Sequence, residues 1–329
     1  MSGGAVPGDE RILLGGGVEF DRIRAVARTL GSSATGLGDD CALIPTGSEW
    51  LAVSVDLSVE QVHFRRDWLT LSEIGWKATA GALSDLGAVG AEVIGVLAAV
   101  AVPPETPQAD LEAVMAGVGA AVQAVGGKVL GGDLSAGSAW TIDIAVIGRT
   151  AHPVRRTGAT AGDLVFVTGR LGGARAGLQQ LRKHGKAEGV FRDRFAHPIP
   201  RISGGQWLAN RGARAMIDLS DGLAGDAAHL AAASGVSVHL DLDLIPLETG
   251  LIAWAEEFGE NAYLAAASGG EDYELLVVMP SDFGPDDAAV FQRDIAVQLT
   301  RIGEVARGEG VQLRRSGRSV TLSSFDHFG

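Results

Sequence analysis

The sequence predicts two domains of mixed α+β type, and three observations predict them. With 329 residues the chain is longer than one core comfortably serves, so domains of ordinary size divide it in two. Short β-like runs and longer Ala- and Gly-rich helical runs alternate with uneven connections, which fits two α+β domains better than a doubly wound sheet. One polar stretch, 150–162, with His152, Pro153 and the paired Arg155 and Arg156, breaks the pattern. The boundary is placed there, giving domains 1–150 and 151–329.

In the first half, a helical pattern over 20–30 precedes β-like runs at 41–45 and 50–56. Residues 72–89, rich in Ala and Gly, predict a tightly packed helix, and 93–102 a buried strand. A proline-flanked helix follows over 108–125, then strands at 128–131 and 139–149. The second half restarts with a strand at 164–168, a glycine-rich turn at 169–173 and a helix at 174–184. Runs at 215–218, 223–234, 236–240, 273–279 and 311–313 continue the mixture. No repeat with a period of roughly 20–50 residues is evident.

A hydrophobic content of 46% and a charged content of 20% describe a folded globular protein. The longest apolar stretch, 93–104, is interrupted by Gly95 and falls short of the about 20 residues a membrane helix needs. Residues 1–10 have neither a basic region nor an apolar run, so no secretory signal is expected. Cys41 is the single cysteine and can form no internal disulfide, which predicts a cytoplasmic location. A net charge of −13 argues against a nucleic-acid partner, whose phosphates need Lys and Arg. An acidic protein can still hold polyphosphate if divalent metals bridge carboxylate to phosphate.

Glycine is abundant, and carboxylates recur where an apolar run meets small flexible residues: Gly38-Asp39-Asp40, Ser54-Val55-Asp56, Ser84-Asp85, Gly131-Gly132-Asp133 and Asp218-Leu219-Ser220-Asp221-Gly222. Each is expected at the mouth of a strand or helix. Glycine lets phosphate or metal approach the backbone, and short Asp side chains suit magnesium, which takes oxygen ligands and keeps substrate phosphates in its shell. For any one site the plainer reading is a helix cap or turn; five together favour metal binding. Ser220 serves a nucleotide phosphate or sugar, or caps the helix that follows. Gly269-Gly270-Glu271-Asp272-Tyr273-Glu274 is either a ligand-facing turn or a solvated acidic rim, and His63 is a phosphate or ring contact or an ordinary histidine. Gly169–Gly173 reads as a tight turn ahead of an anion site.

The chain lacks G-x-x-x-x-G-K-[ST] and G-x-G-x-x-G, has no zinc set, and shows no G-x-S-x-G elbow. The common phosphate loop, the dinucleotide fingerprint and a serine hydrolase are thereby set aside.

Taken in order, Gly36-Leu37-Gly38-Asp39-Asp40-Cys41-Ala42, the 54–56 strand end with His63, Leu83-Ser84-Asp85-Leu86, Gly131-Gly132-Asp133, 217–223, 268–275 and Asp326-His327-Phe328 resemble the thiamine-monophosphate kinase family. That family belongs to the aminoimidazole ribonucleotide synthetase-like superfamily. The resemblance implies the corresponding two-domain fold, a homodimer formed through the N-terminal domains, and a cleft binding ATP and several magnesium ions. It implies metal ligation by Asp40, Ser54, Val55 through its backbone, Asp56, Asp85, Asp133, Asp218 and Asp221. It implies ATP contacts from Gly132, Asp133, Arg156 and Ser220, contacts to thiamine monophosphate from His63 and Glu271, and catalytic roles for Asp56, Asp133 and Asp221. The sequence departs from the family pattern in having Val55 for Thr, Leu322 where an aromatic residue stacks on the substrate, and Phe325 for Tyr. Leu322 keeps its place as a substrate-binding position.

The implied reaction is in-line attack by a phosphate oxygen of thiamine monophosphate on the γ-phosphorus of ATP, without a phosphoenzyme. The rivals are a synthetase or hydrogenase-maturation dehydratase of the same superfamily, and a nucleotide- or cation-binding protein without turnover. A selenophosphate synthetase is disfavoured, since no reactive cysteine lies near the N-terminus.

Overall fold

The computed structural model describes residues 16–34 and 36–322. The Asp326-His327-Phe328 motif, Phe325 and residues 1–10 lie outside them.

The first half comprises α1 (Val18–Leu30), β1 (Ala42–Thr46), β2 (Glu49–Val59), α2 (Leu71–Ala88), β3 (Glu92–Val102), α3 (Gln108–Ala124), β4 (Val129–Ala136) and β5 (Thr141–Thr150). Its five-stranded sheet has the order β1-β2-β5-β3-β4. The second half comprises β6 (Leu164–Thr168), α4 (Gly173–His184), α5 (Gly189–Ala196), α6 (Ile202–Ala209), β7 (Ala215–Asp218), α7 (Leu223–Ser234) and β8 (Ser237–Asp241). It continues with α8 (Leu251–Phe258), α9 (Ala262–Ser268), β9 (Leu275–Met279), α10 (Pro285–Ile295), β10 (Leu299–Ala306), β11 (Gly310–Arg315) and β12 (Arg318–Val320). These strands form a seven-stranded sheet in the order β12-β11-β8-β10-β6-β9-β7. The architecture is mixed α and β in both halves.

Helix α2 sits between the halves. It starts at a capping box in which Thr70 and Glu73 satisfy each other's backbone amides. It is apolar or small around most of its circumference, because it packs on the first sheet on one side and on α5 and α6 on the other. Its crossing with α3 is close: a Cβ on Gly75 would lie 2.0 Å from the Val114 carbonyl oxygen, and one on Gly117 would lie 1.9 Å from that of Ser72. The core beneath the first sheet also takes Leu181, Phe195 and Ile202 from the second half of the chain, so the two halves share apolar packing.

Strand β5 shows the alternation of a sheet with one covered face. Ile142, Ile144 and Val146 turn inward and are fully buried. Its other face looks away from α2. Two rows cross that outer face: Val55, Ala145, Leu97 and Gly131, then Leu57, Asp143, Ala99 and Asp133.

Three expectations are corrected here. Gly131-Gly132-Asp133 does not lie at a strand mouth, because β4 continues to Ala136 and pairs in parallel with β3. A Cβ on Gly132 would stand 1.8 Å from the Ala98 carbonyl oxygen, so glycine admits the neighbouring strand there and does not end β4. Asp56 does not end β2 either, which runs to Val59. Tyr273 precedes its strand, because its φ of 50° is left-handed and the ladder starts at Leu275.

Candidate active site

A cavity of about 1040 Å³ opens where β2, α2, the turn after β7 and the 268–273 loop meet. Val55, Asp56, His63, Asp85, Asp218, Ser220, Asp221, Glu271 and Leu322 all line it. Residues remote in sequence are thus gathered around one cavity.

Each arrives for a local reason. Pairing of β1 with β2 ends at Val53, so Ser54–Asp56 forms an open edge of β2. Asp85 lies in the last turn of α2, where a carboxylate opposes the helix dipole; a favourable partner must compensate elsewhere. Asp218 ends β7, and Gly222, with φ 110°, starts the entry to α7. Asp226 reaches back to accept the Gly222 amide at 3.0 Å, which clamps the Ser220-Asp221 turn.

The 268–274 loop is laced to that turn. The Glu271 amide donates to the Ser220 carbonyl at 2.8 Å, the Tyr273 amide to that of Leu219 at 2.9 Å, and the Leu219 amide to that of Glu274 at 2.8 Å. Glu271 itself has φ 67°, a conformation a non-glycine residue keeps only when its surroundings impose it. At the other end of the cavity the Val59 amide donates to Nδ1 of His63 at 3.0 Å, so the neutral ring carries its proton on Nε2.

Asp85 and Asp218 on the cavity lining and Asp40 beside them bring carboxylate oxygens within 4.8 Å of one another. Asp40 and Asp218 are buried, Asp85 half-buried. Arg156 grips Asp40 with Nη2 at 2.8 Å and Nε at 3.2 Å. Burial, then the neighbouring charge of Asp40, pushes the Asp218 carboxyl up to about 7. Burial followed by the charges of Asp218 and Asp40 holds Asp85 well above the usual range, although Ser54 hydrogen-bonds it. Asp226 is raised by burial and by Asp221. Carboxylates that oppose one another's ionisation in a buried site suit a divalent cation, and an all-oxygen donor set suits magnesium.

Gly132 and Asp133 stand apart. Strand β4 is exposed throughout, and Asp133 lies on the outer sheet face, outside the cavity and outside the Asp40–Asp85–Asp218 cluster. Val55 is 64% exposed on that same face.

The family models named AIR synthase related protein, N-terminal domain, and AIR synthase related protein, C-terminal domain, match residues 38–150 and 160–315. Thiamine-monophosphate kinase of Aquifex aeolicus is 33% identical over 94% of this chain and 98% of its own length. The chain belongs to the thiamine-monophosphate kinase family. Another thiamine-monophosphate kinase, from Salmonella typhimurium, is 34% identical over 94% of the chain and 95% of its own. A solved structure of AaThiL complexed with AMPPCP and TMP superposes with a TM-score of 0.85 at 32% identity, covering 94% of this chain and 97% of that one. The resemblance carried by scattered Asp-Gly segments and the one carried by the whole fold therefore point to the same thiamine-monophosphate kinase family.

Sequence reasoning missed Lys77, Gly81 and Tyr273, which also line the cavity. Lys77, Gly81 and Asp85 recur every fourth residue and so share one face of α2; a lysine amid Ala and Gly was the available signal. Gly81 leaves room for its neighbours, since a Cβ there would meet the Tyr273 hydroxyl at 3.0 Å and Asp56 Oδ2 at 3.2 Å. Tyr273 lies in the 269–274 segment that the sequence marked, but its own place on the cavity depends on a left-handed backbone that the sequence does not announce.

Proposed function

We propose that this protein transfers the γ-phosphoryl group of ATP to thiamine monophosphate, giving thiamine diphosphate and ADP in one in-line step. The observation that supports it most is the convergence of Asp40, Asp85 and Asp218 at a cavity lined also by Asp56, Asp221, His63 and Glu271. Asp40, Ser54, Val55, Asp56, Asp85, Asp218 and Asp221 would hold magnesium ions. Bound there, magnesium supplies charge neutralisation on the triphosphate and on the transferred group.

The chain's own residues position the reactants. Ser220 and Arg156 are assigned to the nucleotide, His63, Glu271 and Leu322 to the acceptor. The acceptor phosphate is already anionic, so no strong general base is needed and positioning can supply much of the rate. Leu322 offers apolar contact in place of an aromatic ring.

Asp133 and Gly132 enter this scheme through a second copy. Val55 (64% exposed), Leu57 (48%) and Leu97 (39%) leave an apolar outer face on the first sheet, the kind of surface a subunit covers. We infer a homodimer through this face, with residues 1–150 as the ATP, metal and dimerisation domain and Gly132 and Asp133 joining the nucleotide site only in the pair. The aspartates assigned to catalysis are then Asp56, Asp221 and Asp133. No helix among the described residues is long and apolar enough to cross a membrane. The cytoplasm is the proposed compartment and nucleic acid is no partner, consistent with one buried cysteine and a net charge of −13.

The test is to incubate the purified protein with magnesium-ATP and thiamine monophosphate and separate the products. Thiamine diphosphate and ADP in equal amounts support the reading. ADP released without the acceptor would point to a different member of the superfamily.

A further inference from the structure

Lys77 is 5% exposed, inside a helix whose neighbouring turns are mostly small and apolar residues. A buried ammonium must be partnered, and this one has three partners. Its Nζ lies 2.8 Å from Oε1 of Glu271, 3.2 Å from the Phe195 carbonyl oxygen and 4.1 Å from the centre of the Phe195 ring. The two contacts with Phe195 already tie α2 to α5. The contact with Glu271 does something else, because Glu271 stands on the cavity wall in a left-handed backbone conformation whose amide is held by Ser220.

We propose that Lys77 is a positioning residue for the acceptor: anchored on Phe195, it fixes the Glu271 carboxylate in the orientation that recognises the cationic, amine-bearing rings of the substrate. This rests on the kinase reading given above and deepens it. A carboxylate that swings freely loses rotamer entropy on binding; one already clamped at Oε1 by a buried ammonium does not. Lys77 acts on how well the acceptor is held, and the transfer step itself proceeds on the carboxylate side of the cavity.

Steady-state kinetics of the wild type, K77M, E271Q and K77M/E271Q test this, each protein first checked for an unchanged melting temperature. The expected result is a KM for thiamine monophosphate raised by about tenfold in each single variant and no further in the double variant, because both substitutions break one interaction. KM for ATP and kcat stay within about twofold, and K77R recovers most of the loss. The proposal is overturned by an unchanged acceptor KM in K77M, by effects that multiply in the double variant, or by an equal rise in KM for ATP. A fall in kcat alone overturns it too, since that would place Lys77 on the transferred phosphate. If K77M does not fold, the same cycle is run with K77Q, whose rise in acceptor KM must vanish in the E271Q background. A wild-type protein that makes no thiamine diphosphate rejects the kinase reading instead, and is distinguished by that outcome.

Discussion

Arg156 and Asp40 form a two-point ion pair, 2.8 and 3.2 Å, with the Asp40 side chain wholly buried and that of Arg156 16% exposed. The pair joins the glycine-rich loop of the first half to the segment that links the halves. It also sets the charge of the Asp40–Asp85–Asp218 group, because the guanidinium ion-pairs directly with Asp40.

Replacing Arg156 with Met leaves Asp40 buried without its cation. Breaking such a pair costs roughly 3 kcal/mol, so the variant is expected to unfold at clearly lower denaturant concentration. KM for ATP should rise as well, since Arg156 is assigned to the nucleotide. A variant with wild-type stability would show that Asp40 has another compensating partner.

The pH dependence of stability has a definite sign. Asp218 titrates near 7 in the native state against an ordinary value of 3.8, so the native protein binds this proton more tightly than the unfolded chain. Its stabilising contribution is fully present below the ordinary value and is lost as pH rises through about 7. The metal-free protein should therefore melt at lower temperature at about pH 8 than at about pH 6, and magnesium with nucleotide should restore more at the higher pH. D218N should flatten both trends in a thermal melt; an unaltered slope would remove Asp218 from the explanation.

The outer sheet face predicts an assembly effect. Leu57→Lys puts a charge on the outer face that exposes Val55, Leu57 and Leu97, in the row of Asp143, Ala99 and Asp133, without touching the buried face of β2. Sedimentation should change from dimer to monomer, the far-ultraviolet spectrum should persist, and turnover should fall at least about tenfold because Gly132 and Asp133 leave the site. A fully active monomer would contradict the proposed role of β4.

Much of this arrangement could be read in the chain before any coordinates. The runs at 164–168, 215–218 and 223–234 coincide with β6, β7 and α7, because each is a buried apolar run or a small-residue helix with glycine within a few residues of both ends. The cavity-lining acids Asp56, Asp85, Asp218 and Asp221 were likewise visible, since short carboxylates beside glycine and serine mark places where backbone meets ligand. What the sequence concealed depends on distance in the chain. Lys77 gains its meaning only from Phe195 and Glu271, 118 residues away in the first case. The side of β4 that Asp133 occupies depends on a register with β3 that local pattern does not specify, and α5, α6, α8 and α9, of seven or eight residues each, are too short for a helical period to stand out.

The most direct test of the central claim is divalent-metal binding in the presence of a non-hydrolysable ATP analogue, followed by manganese electron paramagnetic resonance on the wild type, D85N and D218N. The account predicts analogue-dependent manganese binding by the wild type that weakens by about tenfold or more in each variant while circular dichroism is unchanged. Equal manganese affinity in all three proteins would contradict it.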